Sequence, residues 1–176
     1  MQTIVEFQTK HQMPYAGLVI GLATTPVGSA VLAWDDLGLR ELNLHESLSD
    51  IPNQCSALGY SFDRDDRHAQ SLVEAVFARQ ALGMPIVLCG TQFQLDVWRE
   101  LLKLKFGETV SYGELANRIQ KPTAARAVGA AVGANRLGFL VPCHRVVRHD
   151  RVIGQFRWGS DVKAKLLAWE SLSVHE

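Results

Sequence analysis

Three short apolar runs dominate the first half of the chain. Residues 18–22, 29–34 and 39–44 are rich in Val, Leu, Ile and Trp, and turn-forming residues fill the gaps at 24–28 and 35–38. Short apolar runs divided by Gly, Pro and Asp are typical of strands joined by tight turns. The pattern predicts a three-stranded antiparallel meander.

The segments around this meander have weaker patterns. Residues 1–14 are weakly patterned, and we expect them to be loosely ordered. Residues 46–66 are polar and turn-rich, which predicts a loop. From His68 to about Leu82 the apolar residues recur at helical intervals, and the short apolar run 86–90 follows a boundary near Met84-Pro85.

The second half of the chain has helical periodicity. Thr91 is a predicted N-cap for a helix that ends around Phe106-Gly107. Ser160 is a predicted N-cap for a last helix, with Asp161 favourable in its first turn. The apolar faces of these two helices consist of Phe93, Val97, Trp98, Leu101 and Leu102, and of Val162, Leu166, Leu167 and Trp169.

Residues 111–135 form a helix-turn-helix signature. A short helix over 111–119 is broken at Gln120-Lys121-Pro122, and a second helix over 123–135 is predicted to be capped by Thr123. The side chains of this second helix are almost all Ala, Gly or Val, with Arg126 the single long one. Two interpretations remain open: close helix–helix packing with Arg126 as a surface charge, or close approach to a DNA groove with Arg126 reaching in.

The segment Pro142-Cys143-His144-Arg145-Val146 places a thiol, an imidazole and a guanidinium inside an apolar run. Such local contradictions mark functional sites. A cysteine beside cationic groups can have a lowered pKa, and its thiolate is a nucleophile. The alternatives are a small buried cysteine and a structural histidine. If residues 140–147 form a strand, Cys143 and His144 point to opposite faces.

The net charge of zero hides an asymmetry. Residues 1–90 carry 5 Lys/Arg against 10 Asp/Glu, a net charge of −5, whereas residues 91–176 carry 13 against 8, a net charge of +5. A neutral protein with one basic half can still present a positive face to phosphate, although chance can also produce such a division.

Cysteine usage and hydropathy indicate the cellular setting. Cys55, Cys89 and Cys143 are odd in number and widely spaced, which favours a reducing compartment over a disulfide framework. No ligand spacing for a structural zinc is present. We expect neither a secretory signal nor a membrane span, because the N-terminus lacks the signal pattern and no apolar run is long enough.

These residues together resemble the active-site and DNA-binding motifs of the O6-alkylguanine-DNA alkyltransferases. The similarity covers about residues 90–171, and Arg157-Trp158-Gly159 most resembles the C-terminal half of the bacterial adaptive-response protein. The matching positions are Phe93-Gln94, Val97-Trp98, 107–113, Leu115-Ala116, Pro122, 126–129, Asn135, 142–147, Gly154, Gly159, Lys163, Leu166-Leu167 and Glu170.

The resemblance implies an α+β fold in two lobes. Residues 1–85 would form a ribonuclease-H-like antiparallel sheet lobe. Residues 86–176 would form a mostly helical, winged-helix-like lobe that contains the helix-turn-helix, the DNA-binding surface and the active site.

The resemblance also implies an irreversible transfer of a methyl or small alkyl group from O6-alkylguanine, or O4-alkylthymine, in duplex DNA to Cys143. The base would be flipped from the duplex, and the helix-turn-helix would bind the minor groove. The implied catalytic residues are Cys143, His144, Glu170 and Asn135. The implied DNA-binding residues are Ser111, Tyr112, Thr123, Ala124, Arg126 and Ala127. The implied substrate-pocket residues are Val146, Phe156, Arg157 and Trp158.

Further roles follow from the same resemblance. A water would link Cys143 to His144, Glu170 would hold the histidine, and Arg145 would make a structural ion pair. No cofactor or metal is expected, and the implied protein is a cytoplasmic monomer without a membrane partner. The alternatives are a non-catalytic protein that binds the lesion and a thiol hydrolase that uses Cys143 and His144.

Overall fold

The computed structural model divides the chain into two compact units, Met1–Cys89 and Gly90–Glu176. The described residues are 4–9, 17–45, 63–150 and 152–173. Most of the predicted loop 46–66 therefore lies outside the described residues, as do several residues of the segment 1–14. The strand 86–90, which the sequence assigned to the second lobe, joins the sheet that is built from strands of the first unit.

A six-stranded sheet forms the first unit. Its strand order is β1-β6-β4-β3-β2-β5. The strands are β1 (Val5–Thr9), β2 (Val19–Thr25), β3 (Gly28–Asp35), β4 (Gly38–His45), β5 (Asp63–Arg64) and β6 (Ile86–Gly90). The antiparallel meander β2-β3-β4 is confirmed. The sheet as a whole is mixed, because β5 pairs with β2 and β6 pairs with β4 in parallel.

The expectation of loose order is wrong for residues 5–9, which form β1. The main chain next to this strand is bonded to the sheet: the Ile86 N–H donates to the Ile4 carbonyl at 2.9 Å. Sheet pairing of this kind needs only backbone groups, so a weak side-chain pattern does not exclude it.

One helix, α1 (Asp66–Phe77), packs against β2. The approach is close at Gly21, where a Cβ atom would lie 2.4 Å from both the Ala69 Cβ and the Asp65 carbonyl oxygen. The helix begins earlier than its apolar pattern indicated, because Asp65 caps it by accepting from the His68 N–H. It also ends earlier, since Arg79 adopts a left-handed backbone with φ 57°.

Helices predominate in the second unit. Its elements are α2 (Gln92–Leu101), β7 (Val110–Ser111), α3 (Tyr112–Arg118), α4 (Ala125–Gly133), a 3₁₀ turn (Cys143–Arg145), β8 (Val146–Val147) and α5 (Ser160–Ser173). The predicted helix-turn-helix is confirmed as α3 and α4. The Trp98 indole N–H donates to the Ala131 carbonyl at 2.9 Å and joins α2 to α4, while β7 pairs in parallel with β8.

The predicted helix caps have different outcomes. Thr91 caps α2 in a reciprocal capping box with Gln94, as predicted. Thr123 does not cap α4, because the turn that holds the Ala124 N–H on the Lys121 carbonyl delays the helix until Ala125. Ser160 is itself the first residue of α5, where the Lys163 N–H bonds to the Gly159 carbonyl. No helix in the described part of the chain combines the length and apolar character needed to cross a bilayer.

Candidate active site

The segment around Cys143 is a 3₁₀ turn and not the strand that its apolar neighbours indicated. Pro142 precedes the turn, and the Arg145 N–H bonds back to its carbonyl at 3.1 Å. The Val146 N–H bonds to the Cys143 carbonyl, after which β8 begins. Consecutive side chains of a 3₁₀ turn diverge by about 120°. Cys143 and His144 therefore still face different neighbours, although the backbone is not extended.

The thiol of Cys143 lies in an almost dry environment, with a relative exposure of 2%. Burial raises its pKa to about 11, although a hydrogen bond from Asn135 and the charge of Lys163 oppose this effect. The expectation of a lowered thiol pKa is therefore wrong for this structure. The main reason is the burial of the thiol, and the adjacent cation Arg145 does not offset it because Arg145 is paired with Glu170.

Asn135 connects the end of α4 to the active-site segment. Its Nδ2 donates to the Cys143 Sγ at 3.1 Å and to the Val141 carbonyl at 3.0 Å. Its Oδ1 accepts from the Leu137 N–H at 3.0 Å, and the residue is 1% exposed. The amide is thereby oriented with its N–H groups toward the sulfur, which is the arrangement that favours negative charge there.

His144 is fully buried, and burial lowers its pKa even though Glu170 opposes the shift. Its Nε2 lies 2.8 Å from the Glu170 Oε1. Because the carboxylate can only accept, Nε2 carries the hydrogen, and Nδ1 of the neutral ring is an unprotonated acceptor. Nδ1 is buried and has no hydrogen-bond partner among the described residues. The structure thus contains a neutral imidazole with an available basic nitrogen in the residue that follows Cys143 in the chain.

Glu170 anchors the histidine and the arginine together. Arg145 donates to it through Nε and Nη2, with the shortest contact 2.7 Å to Oε1, and the Gly107 N–H donates to Oε2 at 3.1 Å. Burial works to raise the pKa of Glu170, but the hydrogen bonds and charges of His144 and Arg145 outweigh it and lower the pKa to about 2. This explains an acid near the end of α5: it is the buried counter-ion of Arg145.

Lys163 is a buried cation whose role the sequence did not reveal. Its Nζ donates to the Val146 carbonyl at 2.6 Å, and the residue is 1% exposed. Burial lowers its pKa, although Cys143 opposes the shift. The available signal was its spacing on α5, since Lys163 shares a helix face with Leu166 and Glu170. We call Cys143, His144, Arg145, Lys163 and Glu170 the buried network.

The loop before α5 contains the predicted pocket residues. Phe156 and Trp158 are half-buried and meet edge to face at 5.1 Å, and the Lys163 ammonium lies 5.9 Å from the Phe156 ring centre. Arg157 is exposed, and its Nη1 lies 3.4 Å from the Gly133 carbonyl at the end of α4. These contacts bring the loop next to both Val146 and the helix-turn-helix.

Tyr112 lies between this loop and α4. A Cβ atom at Gly154 would be 3.7 Å from its hydroxyl, and one at Gly129 would be 3.7 Å from its ring. Its pKa is raised by burial and by the neighbouring Cys143. Ser111, which precedes it, is buried and caps α3 in a capping box with Glu114. Ser111 is therefore held in a structural contact with the helix start.

The outer side of the helix-turn-helix is exposed and built from small residues. Val128, Ala131 and Val132 form the buried side of α4. We call the exposed residues Arg126, Ala127 and Ala130 of the helix, together with Thr123 just before it, the exposed face of α4. Ala124 is half-buried at the helix start. Arg126 is the one long side chain of this face. Another molecule can therefore approach the backbone of α4 closely, and the face carries a single positive charge near its N-terminal end.

No described cluster of three or more His, Cys, Asp or Glu side chains could hold a metal ion. The two described cysteines, Cys89 and Cys143, form no disulfide with a described residue. The site contains a buried thiol, a neutral imidazole and its carboxylate partner.

Comparison with known proteins gives consistent matches. Residues 92–172 match the model of the 6-O-methylguanine DNA methyltransferase DNA-binding domain. The chain is 44% identical over 171 residues to the bifunctional transcriptional activator/DNA repair enzyme Ada of Escherichia coli, which covers 93% of this chain and 48% of that protein. It is 35% identical over 150 residues to a methylated-DNA–protein-cysteine methyltransferase of Methanosarcina acetivorans, covering 83% of this chain and 94% of that protein.

A solved structure has a similar fold. The chain superimposes on the O6-methylguanine methyltransferase of Mycobacterium tuberculosis with a TM-score of 0.72 and 30% identity, covering 90% of this chain and 99% of that one. The same protein in complex with DNA gives a TM-score of 0.70, 32% identity, and coverage of 89% and 94%. The chain spans about half or less of the length of the first curated relatives it matches.

Proposed function

This chain belongs to the family of the methylated-DNA–protein-cysteine methyltransferases, and we propose that it repairs DNA by removing alkyl groups from guanine O6. The group moves to Cys143, which is consumed, so each protein molecule acts once. The observation that carries the proposal is the neutral His144, which follows the buried Cys143 in the chain. Its Nδ1 is buried without a hydrogen-bond partner among the described residues, while its Nε2 is held by Glu170.

The reaction follows from these groups. The Cys143 sulfur attacks the carbon of the alkyl group, a C–S bond forms, and the C–O bond to guanine breaks with its electron pair left on the base. The thiol proton passes through a bridging water to the His144 Nδ1, and the guanine leaves as an anion. The anion takes up one proton from solvent and the imidazolium later returns one to solvent, so that protons and charge balance. The high pKa of the thiol makes this base necessary, because little thiolate exists beforehand.

Two contacts support proton transfer at the moment of reaction. Asn135 and Lys163 both favour negative charge on the sulfur, through a hydrogen bond and through charge respectively. Neither overcomes burial in the free protein. They act when the thiol proton is withdrawn, so the reactive anion forms only in the presence of its base and substrate.

The substrate is duplex DNA, with the damaged base flipped into the site. O6 lies inside the base stack, so an enzyme that reacts with it must extrude the nucleotide. The exposed face of α4 fits a narrow minor groove because its side chains are short, and the relative from M. tuberculosis was crystallised with DNA. Arg126 fills the gap in the stack, and Tyr112 crowds the neighbouring phosphate. O4-alkylthymine, which presents its alkyl group similarly, is a second substrate.

Intact-protein mass spectrometry tests the proposal. Protein in excess over a duplex with one O6-methylguanine should gain the mass of one methyl group, and peptide mapping should place it on Cys143. Cys143→Ala should show no gain. Cys89→Ala is the matched control, because Cys89 also carries a thiol and is more exposed.

The possible results separate the candidate functions. Methyl transfer to Cys89, or a methyl group that stays on the DNA, would refute the proposal. Tight binding of the damaged duplex without any mass gain would instead indicate a protein that recognises the lesion without repairing it.

A further inference from the structure

The imidazole of His144 is held in place by more than its hydrogen bond. The Phe139 ring lies parallel to it, with the ring centres 5.6 Å apart and the planes inclined by only 6°. This is the offset-stacked geometry that aromatic pairs favour. Phe139 is 8% exposed, so this contact between parallel, offset rings lies inside the protein.

The backbone of Phe139 adopts an unfavourable conformation. Its φ is 65°, in the left-handed region that bulky residues rarely enter. Strained backbone of this kind persists only where the surroundings fix it, and it is concentrated at functional sites. The strain places the Phe139 ring against the imidazole, five residues later in the chain.

Two further aromatic residues support this stack. Trp169 meets Phe139 edge to face at 5.5 Å, and Phe106 meets Trp169 edge to face at 5.7 Å. The Arg145 guanidinium lies 5.4 Å from the Phe106 ring centre. We call Phe106, Phe139 and Trp169 the aromatic cluster. It contacts the buried network at both His144 and Arg145.

A single hydrogen bond fixes one point of an imidazole and leaves its plane free to tilt. The described contacts of His144 include one at Nε2 and none at Nδ1. A parallel ring on one face removes that freedom. It also keeps the Nδ1 lone pair aimed in one direction.

We propose that Phe139 is a positioning residue for His144, which fixes the plane of the imidazole and excludes water from one of its faces. The inference rests on the proposed function, in which the His144 Nδ1 is the base. Phe139 does not contact the reacting atoms in this scheme. Its effect on the reaction passes through the histidine.

The direction of the effect follows from burial. Burial is the main cause of the lowered pKa of His144; Glu170 acts to raise this pKa, and the charges of Arg145 and Lys163 act to lower it. Cys143, the remaining titratable neighbour, is a neutral thiol. Because replacing Phe139 leaves all four groups in place, opening one face of the imidazole to water should move its pKa upward, toward its ordinary value.

The test compares Phe139→Leu with Phe77→Leu. The two phenylalanines have similar exposure, 8% and 7%, but Phe77 lies on α1 in the other unit. Two readouts are measured: the titration of the 15N-labelled His144 imidazole by NMR in the DNA-free protein, and the pH dependence of single-turnover methyl transfer.

In Phe139→Leu we expect both midpoints to move upward by about half to one pH unit. Transfer then slows by about 3- to 10-fold below the midpoint and changes little above it. Phe77→Leu should be less stable but keep both midpoints. Trp169→Leu, which removes the support of Phe139 without touching His144, should give a smaller shift in the same direction.

An unchanged titration midpoint in Phe139→Leu would overturn the inference. If that variant does not fold, an unchanged midpoint in Trp169→Leu would do so. Failure of the proposed function is distinguishable, because the NMR titration does not require methyl transfer. A shifted titration with an unshifted rate profile would support the role of Phe139 and contradict that of His144 as the base.

Discussion

The buried network and the exposed face of α4 lie in the same unit but are built in opposite ways. The network contains five polar residues, all less than 10% exposed. Short hydrogen bonds join Glu170 to His144 and Arg145, and Lys163 donates to the Val146 carbonyl. The exposed face has four residues, only one of them charged, and α4 has no side-chain cap.

This difference indicates that the buried network stabilises the fold, whereas we propose that the exposed face of α4 binds DNA. Removing one partner from a buried ion pair leaves a charge that water cannot solvate, which is costly whatever the pair contributes as a whole. Exposed side chains outside such contacts contribute little to the free energy of unfolding. We therefore expect substitutions in the network to affect folding and chemistry together, and substitutions on the exposed face to affect DNA binding alone.

Glu170→Gln should have the largest effect. It leaves Arg145 buried without a counter-ion, which we expect to lower the free energy of unfolding by about 3–5 kcal/mol. It also removes the charge that stabilises protonated His144, so single-turnover methyl transfer should slow about 100-fold or more. Urea unfolding and rapid-quench transfer assays measure the two effects.

The matched control for this prediction is Glu108→Gln. Glu108 pairs with Arg118 at 3.0 Å, but about a third of its side chain is exposed (34%). Exposed pairs contribute between 0 and about 1 kcal/mol. Equal losses of stability in the two variants would contradict the distinction between buried and exposed charge.

The pH dependence of stability is the next largest effect. The pKa of Glu170, about 2, lies below its ordinary 4.5, so the unfolded chain binds this proton first as the pH falls. The stabilisation is present above pH 4.5 and is lost toward pH 2, on the order of 3 kcal/mol. The lowered pKa of His144 adds to this loss. Below about pH 6.5 the unfolded chain takes up the His144 proton first, so the stability of the folded state falls as the pH falls.

Urea midpoints measured from pH 7 to pH 3 test this dependence. Stability should fall with pH in the wild-type protein, and the slope below pH 4.5 should be shallower in Glu170→Gln. If the variant and the wild-type protein have the same slope there, Glu170 is not the group that titrates.

Arg126→Ala tests the role of the exposed face of α4 in DNA binding. If Arg126 fills the gap left by a flipped base, its loss should weaken binding of O6-methylguanine duplex by about 10- to 100-fold. Binding is measured by fluorescence anisotropy in a Cys143→Ala background, so that the lesion is not consumed. The free energy of unfolding should change by less than about 0.5 kcal/mol.

Arg99→Ala is the control for general loss of positive charge, because Arg99 is a half-buried arginine on α2 that pairs with Asp96 and lies outside α4. It should weaken binding less, and equally for damaged and undamaged duplexes. Equal effects of Arg99→Ala and Arg126→Ala would mean that α4 contributes only charge.

The sequence predicted what local patterns determine. The meander followed from alternating runs and turns, and the helix-turn-helix followed from two periodic segments around Pro122. The pairing of His144 with Glu170 and the inclusion of Asn135 in the active site came from the family resemblance. The geometry agrees, since Asn135 donates to the Cys143 sulfur and His144 bonds to Glu170. The catalytic and DNA-binding roles of these residues remain proposals.

Features set by three-dimensional environment were not predictable in this way. The Cys143 pKa depends on which way neighbouring cations face, and Arg145 faces Glu170. The turn at Cys143–Arg145 interrupts an apolar run that is typical of a strand. The Phe139–His144 stack depends on one left-handed residue, and no local pattern signals that conformation.

The smallest effect is expected from Thr123→Ala. Thr123 has the residue type and position of an N-cap, yet α4 begins after Ala124 without a side-chain cap. Its loss should therefore change the free energy of unfolding by less than about 0.5 kcal/mol. Thr91→Ala, which removes a cap that the structure does contain, should cost about 1 kcal/mol.

Urea unfolding of the two threonine variants measures this difference in stability, and the anisotropy assay measures their affinity for DNA. Thr123 belongs to the exposed face of α4. A modest loss of DNA affinity with an unchanged free energy of unfolding would show that an uncharged residue of this face also contributes to DNA binding and not to folding. A stability loss in Thr123→Ala equal to that in Thr91→Ala would instead mean that this residue caps α4 in solution and that the exposed face contributes to folding.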